Sequence, residues 1–219
     1  MEYRSLGRTN LKVSSLCLGT MTWGEQNDQA QAFAQIDRAK TAGINFIDTA
    51  EMYPVPPRPE TYATTEQYIG NYFQSRGDRA DWIIATKIAG PGNGITHIRG
   101  GQPKFNREQI RTALDNSLRR LQTDWIDLYQ LHWPERSTNF FGQLGYRHQE
   151  GDFTPLEETL EALDAEVKAG RIRHIGLSNE TPWGAMKYLQ LAEARGLPRS
   201  VSIQNPYNLL NRSFEVGLA

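Results

Sequence analysis

The run INFIDTAEMYPVPPRPET, residues 44 to 61, leaves an apolar stretch on the carboxylate of Asp48 and reaches the phenol of Tyr53 just before a burst of prolines. Two later apolar runs also close on ionisable groups, Lys87 in DWIIATK and His132 in DLYQLHW. Taken together, the four have a chemistry. A phenol has an unperturbed pKa of about 10, too high for easy proton donation at neutral pH, but a fixed ammonium nearby favours the phenolate. At about 4 Å and an effective dielectric of roughly 20, the attraction is on the order of 4 kcal/mol as an upper bound. Lys87 is thus expected to pull the Tyr53 value down, and Asp48 to keep Lys87 charged and in place. His132, as a neutral imidazole, can donate to a carbonyl oxygen and orient it. Such a group protonates an oxygen on which negative charge develops, a step for which general acid catalysis gives ~100 to 10,000-fold.

Singly, each residue has a structural explanation: Asp48 as a loop cap, Tyr53 packed on prolines, Lys87 snorkelling, His132 satisfied in a core. Four at successive strand ends favour the chemical reading. Two further runs end in amides and hydroxyls, Ser178 and Asn179 in RHIGLSN and Gln204 in SVSIQNP. Ser178 and Asn179 also suit a turn. Gln204 lies inside an apolar run, where a buried amide needs partners. A carboxamide such as nicotinamide would match all three and would bring a hydride. No metal site is expected, because His97, His132, His148 and His174 have neither HxH nor HExxH spacing and there is no cysteine pair.

The elements that must position these groups follow one theme repeated six times: a short apolar run, a polar loop and a helical period closed by glycine. The runs are SSLCLGT, NFIDTA, DWIIATK, DLYQLHW, RHIGLSN and SVSIQNP. Helices are predicted at roughly 28 to 42 and 65 to 76, ending at Gly43 and Gly77. Asn106 and Gln109 read as a capping box before Ile110, Leu114, Leu118 and Leu121. Thr154, Pro155 and Glu157 read as N-cap, N1 and N3 before the stripe Leu156, Leu160, Leu163 and Val167, with Gly170 as the stop. Thr181 with Pro182 opens the last helix, and Gly196 closes it. Strict alternation implies parallel strands, in an open doubly wound sheet or a closed α/β barrel.

A barrel is favoured. Neither GTMTWG nor GPGNGI has the glycine spacing of a dinucleotide-binding open sheet, and polar groups at successive strand ends are what a barrel mouth collects. The expected fold class is therefore α/β, a (β/α)8 TIM barrel, as one domain over residues 1 to 219 with an N-terminal hairpin at about 2 to 13 capping its bottom. Only about six of the eight units are encoded. Eight normally need about 250 residues and six cannot close a barrel, so the sequence is expected to be the N-terminal portion of a longer protein. The long segments 89 to 105 and 134 to 153 are expected to be lids or binding loops on the functional rim.

DTAEMY, the lysine of IATK, DLYQLHWP, IGLSN and IQNPYN resemble the motif series of the aldo-keto reductase superfamily, and YRSLGRTNLKVSSLCLGTMTWG resembles its N-terminal hairpin and first strand. EMYPVPPRPET, GQLGY and QNPYNLLNRSFEVGLA are further similar to its bacterial Tas-type branch. The resemblance covers the whole chain. It implies NADP(H) as cofactor without a Rossmann fold, Tyr53 as general acid tuned by Lys87 and Asp48, and His132 as the carbonyl-orienting group. It also implies that Ser178, Asn179 and Gln204 hold the carboxamide, that Thr20, Met21 and Asp48 line the cofactor, and that Trp23 and Trp133 wall the substrate beside Tyr53 and His132. The family's nicotinamide-stacking aromatic and adenosine-phosphate cluster come from later strands.

Bulk properties agree with such an enzyme. With 219 residues and a net charge of -1, basic residues lie beside acids and form no stripe for nucleic acid. The N-terminus lacks a signal-peptide h-region, and no run approaches the ~20 apolar residues of a membrane span. A cytoplasmic protein acting on a small-molecule carbonyl is expected. The single cysteine, Cys17, suits a reducing compartment and reads as a buried structural thiol. Outer helix faces such as 181 to 196 are ordinarily amphipathic and assign no partner subunit. Rival expectations are an NADP(H)-binding redox sensor resembling potassium-channel beta subunits, a Schiff-base enzyme using Lys87, and an inactive fragment. The Schiff base is disfavoured, because a lysine paired with Asp48 stays charged.

Overall fold

The computed structural model describes every residue except Asn93, Leu144 and Ala219. Asn93 of GPGNGI and Leu144 of GQLGY therefore lie outside the described residues.

Strands β1 (Tyr3–Ser5) and β2 (Lys12–Ser14) pair antiparallel as a hairpin. The other six form one parallel sheet in chain order: β3 (Leu18–Gly19), β4 (Phe46–Asp48), β5 (Ile83–Ile88), β6 (Ile126–Leu131), β7 (Ile172–Ser178) and β8 (Ile203–Gln204). Helices α1 (Gln29–Thr41), α2 (Thr64–Arg76), α3 (Arg107–Leu121), α4 (Leu156–Lys168) and α5 (Pro182–Arg195) fill the connections. The sheet is curled into a large part of a (β/α)8 barrel wall. The hairpin is stitched to the N-terminal end of that wall, where Asn45, just before β4, accepts from the Ser14 N–H at 2.8 Å and donates to the Lys12 carbonyl at 2.8 Å.

Strand parity sorts the side chains. Ile47, Ile84, Ile88, Tyr129, Leu131, Ile175 and Leu177 face the helices and join one core with Ile36, Ile69, Leu114 and Leu163. The alternate residues Asp48, Lys87, Gln130, Ser178 and Gln204 share the opposite face, in register Asp48 with Ala85, Lys87 with Gln130 and Ser178 with Gln204. Helix α2 crosses α3 so closely that a Cβ on Gly70 would lie 2.0 Å from the Arg120 carbonyl.

The helix signals mostly hold. Thr181 caps α5 with Pro182 in its first turn, and Gly77 and Gly196 stop α2 and α5 in left-handed conformations, while a capping box the sequence reading missed, Asp28 with Gln31, opens α1. Two need correction. Asn106 caps α3 through the Gln109 N–H, but the Gln109 side chain turns away to the Lys104 N–H and Arg99. Thr154 is not the cap of α4, which starts one residue later behind Pro155; its N–H and hydroxyl instead bind Glu135.

Cys17 is also corrected. It is exposed and lines a cavity of about 600 Å³ on the bore face with Phe46, Leu128 and Gln130. Leu18 takes the helix-facing position, so parity turns its neighbour inward to the bore. Desolvation by the bore walls, followed by the charge of Asp48, pushes the thiol well up, which makes it a poor nucleophile.

Candidate active site

Asp48 is the last residue of β4 and Lys87 lies one residue from the end of β5, so in-register pairing of neighbouring strands brings the two side chains together inside the bore. Lys87 is 1 % exposed, and its ammonium donates to Asp48 Oδ2 at 2.7 Å, to the Thr49 carbonyl at 2.8 Å and to the Tyr53 hydroxyl at 3.4 Å. Those three acceptors match its three N–H donors. Tyr53 is held by a turn in which its N–H donates to the Ala50 carbonyl at 3.1 Å, and its ring lies 4.8 Å from Lys87 Nζ. His132 follows β6 directly, with its ring 5.6 Å from that of Tyr53 and nearly perpendicular to it. The structure thus gathers Asp48, Tyr53, Lys87 and His132 at one mouth.

The electrostatics differ from the sequence expectation in one respect. Burial pushes the Tyr53 phenol up; the Lys87 charge pulls it back, Asp48 adds to the rise, and the net direction is upward. The expected net lowering is therefore overturned: desolvating a phenolate outweighs one ammonium whose charge is already shared with Asp48. Burial opposes the Lys87 ammonium, but Asp48 and then Tyr53 overcome it, so its pKa is raised and it remains a cation. Burial and then the Lys87 charge hold His132 well below the ordinary imidazole value, so its ring is neutral. Neither ring nitrogen of His132 has a hydrogen-bond partner among the described residues, and Nδ1 is fully buried.

Around this centre the residues divide. Thr20 is buried and donates its hydroxyl to the Asp48 carbonyl at 2.8 Å, so it steadies the strand end, while Met21 is exposed beside it. Ser178 ends β7, and Asn179, at a φ of 51°, donates to the His132 carbonyl at 2.9 Å and to the Ser178 hydroxyl at 3.1 Å. Gln204, the last residue of β8, is exposed, and it has the partner that an amide in an apolar strand requires: its Oε1 accepts from Gln130 at 3.3 Å. Trp133 is buried against His132, its indole N–H donated to the Pro91 carbonyl at 2.8 Å. With Met52, Ile95, Phe140 and Phe141 it lines a cavity of about 900 Å³. Trp23 is not a wall: it is 1 % exposed in the core and donates to Gln35 of α1 at 2.9 Å.

Three residues escaped the sequence reading. Gln130 on β6 reaches Asp48 Oδ1 at 3.4 Å as well as Gln204, linking them across the bore. Glu51, fully buried between Asp48 and Tyr53, pairs with Arg99 at 3.0 Å. Glu135 accepts from the Phe105 N–H at 2.6 Å and from the N–H and hydroxyl of Thr154 at 2.8 and 3.0 Å, which joins the bases of both long loops. The signal available was a charged or amide side chain beside an apolar strand, which louder neighbours masked.

The aldo/keto reductase family matches residues 15–219, and the chain belongs to that family. It is 56% identical over 221 residues to the protein Tas of Escherichia coli (strain K12), covering 100% of this chain and 64% of that protein. It is 38% identical to the uncharacterized oxidoreductase YrpG of Bacillus subtilis (strain 168), over 99% of this chain and 61% of YrpG. Against the aldo-keto reductase YhdN of the same organism identity is 33%, over 98% of this chain and 56% of YhdN. The chain thus spans 56% to 64% of the length of these relatives. Among the described residues, no helix is long and apolar enough to cross a membrane, and no cluster of His, Cys, Asp and Glu could hold a metal ion.

Proposed function

We propose that this chain supplies the catalytic end of an NADP(H)-dependent reductase that converts aldehydes or ketones to alcohols. The observation that carries this reading is the Tyr53 hydroxyl 3.4 Å from a buried, permanently charged Lys87, beside a neutral and unpartnered His132. A nicotinamide carboxamide fits the neighbouring groups. Among the described residues the side-chain NH2 of Gln204 and the Oδ1 of Asn179 have no partner, one to donate to a carboxamide oxygen and one to accept from its NH2. Ser178, Asn179 and Gln204 would hold that amide, with Thr20 and Met21 alongside. The cofactor, when bound, supplies the hydride; the choice of NADP(H) rests on kinship.

The protein's part is proton delivery and positioning. His132 directs an N–H at the carbonyl oxygen, and Trp133 walls the substrate. As charge develops on that oxygen, Tyr53 gives up its proton, and the Lys87 ammonium stabilises the phenolate left behind. A phenol whose pKa is raised stays protonated at neutral pH, so the donor is always loaded. Asp48 fixes Lys87 and is not itself a proton source. A cytoplasmic setting belongs to the same proposal, supported by the single cysteine. The test is Tyr53→Phe in the full-length protein, with NADPH consumption followed for a panel of aldehydes and ketones. Turnover is expected to fall by ~100 to 10,000-fold, to a residual rate that single turnover can still read, while NADPH still quenches tryptophan fluorescence. A variant reducing a reactive aldehyde at the parent's rate would refute the assignment.

A further inference from the structure

Glu51 fastens the loop that carries Tyr53 to the strand that carries Lys87. Its backbone N–H donates to the Lys87 carbonyl at 3.0 Å, and its carboxylate accepts from the Ala89 N–H at 2.9 Å, so one residue grips the chain at the lysine itself and again just past the end of β5. A third rung, the Thr49 N–H to the Ala85 carbonyl at 2.9 Å, continues the lacing. The carboxylate is completed by Arg99, at 3.0 Å from Nε and 3.3 Å from Nη2. Arg99 comes from the long loop after β5, stands at a φ of 44°, and its side chain is only 4 % exposed. Its other N–H groups go to the Ala89 carbonyl, to the Lys104 carbonyl at 2.9 Å and to Gln109 Oε1 at 2.7 Å. All five donors of the guanidinium are used, a fork that no lysine can reproduce.

A buried ion pair is weak evidence for stability, because packed apolar side chains of similar volume often do as well. Geometry is what this pair supplies. We infer that Glu51 and Arg99 are positioning residues that set the separation of the Tyr53 hydroxyl from Lys87 and couple it to the loop whose Pro91, Gly92 and Ile95 line the mouth. The inference rests on the reading of Tyr53 as proton donor.

The experiment uses the full-length protein with Glu51→Gln and Arg99→Lys, each alone and each combined with Tyr53→Phe, and a small reactive aldehyde as substrate. Displacing a donor by about 1 Å can cost ~100-fold, so kcat is expected to fall by ~10 to 100-fold with KM and NADPH affinity changed less than ~3-fold. In the Tyr53→Phe background, read by single turnover, the same substitutions are expected to cost less than ~3-fold, since residues acting through one group are not additive. Parental kcat, or losses that multiply in the Tyr53→Phe background, would overturn the inference in favour of a merely structural role. A fully active Tyr53→Phe enzyme, by contrast, overturns the functional reading itself and is recognised from that variant alone. Should the substitutions prevent folding, hydrogen exchange on the parent decides: the Ala89 amide is expected to exchange as slowly as the β5 amides, and fast exchange refutes a held latch.

Discussion

Lys87→Met separates what the buried ammonium does for the fold from what it does for the chemistry. In the native protein its three donors meet Asp48 at 2.7 Å, the Thr49 carbonyl at 2.8 Å and Tyr53 at 3.4 Å. The side chains of Lys87 and Asp48 are 1% and 11% exposed, so the lysine end of the pair is closed to water while Asp48 borders the bore cavity. Removing the lysine leaves the Asp48 carboxylate with one weak contact, Gln130 at 3.4 Å, and orphans the Thr49 carbonyl. Breaking a buried pair in this way costs about 3–5 kcal/mol, whereas replacing both partners by neutral groups is often close to neutral. Lys87→Met alone is therefore expected to lose ~3–5 kcal/mol, and Asp48→Asn with Lys87→Met to recover about half of it or more. Urea titration of the full-length protein at pH 7 reads both, and NADPH turnover is expected to be abolished in both. A single variant costing less than ~1 kcal/mol, or a double variant costing the sum of the singles, would show that the pair is not buried and coupled as described.

Stability should also report the state of His132. Its native pKa is depressed by burial and then by Lys87, so the unfolded chain binds the proton that the native state refuses. The contribution is full above the unfolded value near 6.5 and is lost as pH falls below it, at ~1.4 kcal/mol per pH unit, and His132→Gln should flatten that limb. Because the Tyr53 phenol is pushed up, kcat should hold until above about pH 10 before its alkaline limb begins; a limb near pH 8 would contradict the burial of the donor. A Cβ on Gly90 would meet the Trp133 indole nitrogen at 2.6 Å and its carbonyl at 2.9 Å. Gly90→Ala is thus expected to destabilise by ~1–3 kcal/mol and to raise KM by displacing that wall, read by thermal melting and steady-state kinetics. Trp23→Phe should lower the melting temperature through loss of the Gln35 bond while leaving KM untouched, whereas Trp133→Ala should raise KM.

The fold was legible where local signals and the barrel's needs coincide. Apolar runs located all six sheet strands, and signals such as Thr181 and Gly196 act at their own termini without tertiary help. The group at the mouth was legible for a similar reason: Asp48, Lys87 and His132 interrupt or end apolar runs, and parallel register brings such interruptions together. What stayed hidden depends on the path of loops. Trp23 stands near a strand end just as Trp133 does, yet its loop folds back so that the indole meets α1. Thr154 looked like a cap until Glu135, nineteen residues earlier, claimed it. The direction of the Tyr53 shift needed the depth of burial, which no spacing encodes. Glu51 and Arg99 are 48 residues apart, and neither announces the other.

The carboxylate of Glu135 has a consequence for how such a chain can diversify. Both rim segments hang from it, one by the Phe105 amide and the other by Thr154, so neither can be lengthened, shortened or regrafted without tugging its neighbour. Transplanting one segment from a relative should yield a poorly folded rim, and transplanting the two together with the acid at their root should yield a new selectivity. The two segments are a yoked pair, to be exchanged together or not at all.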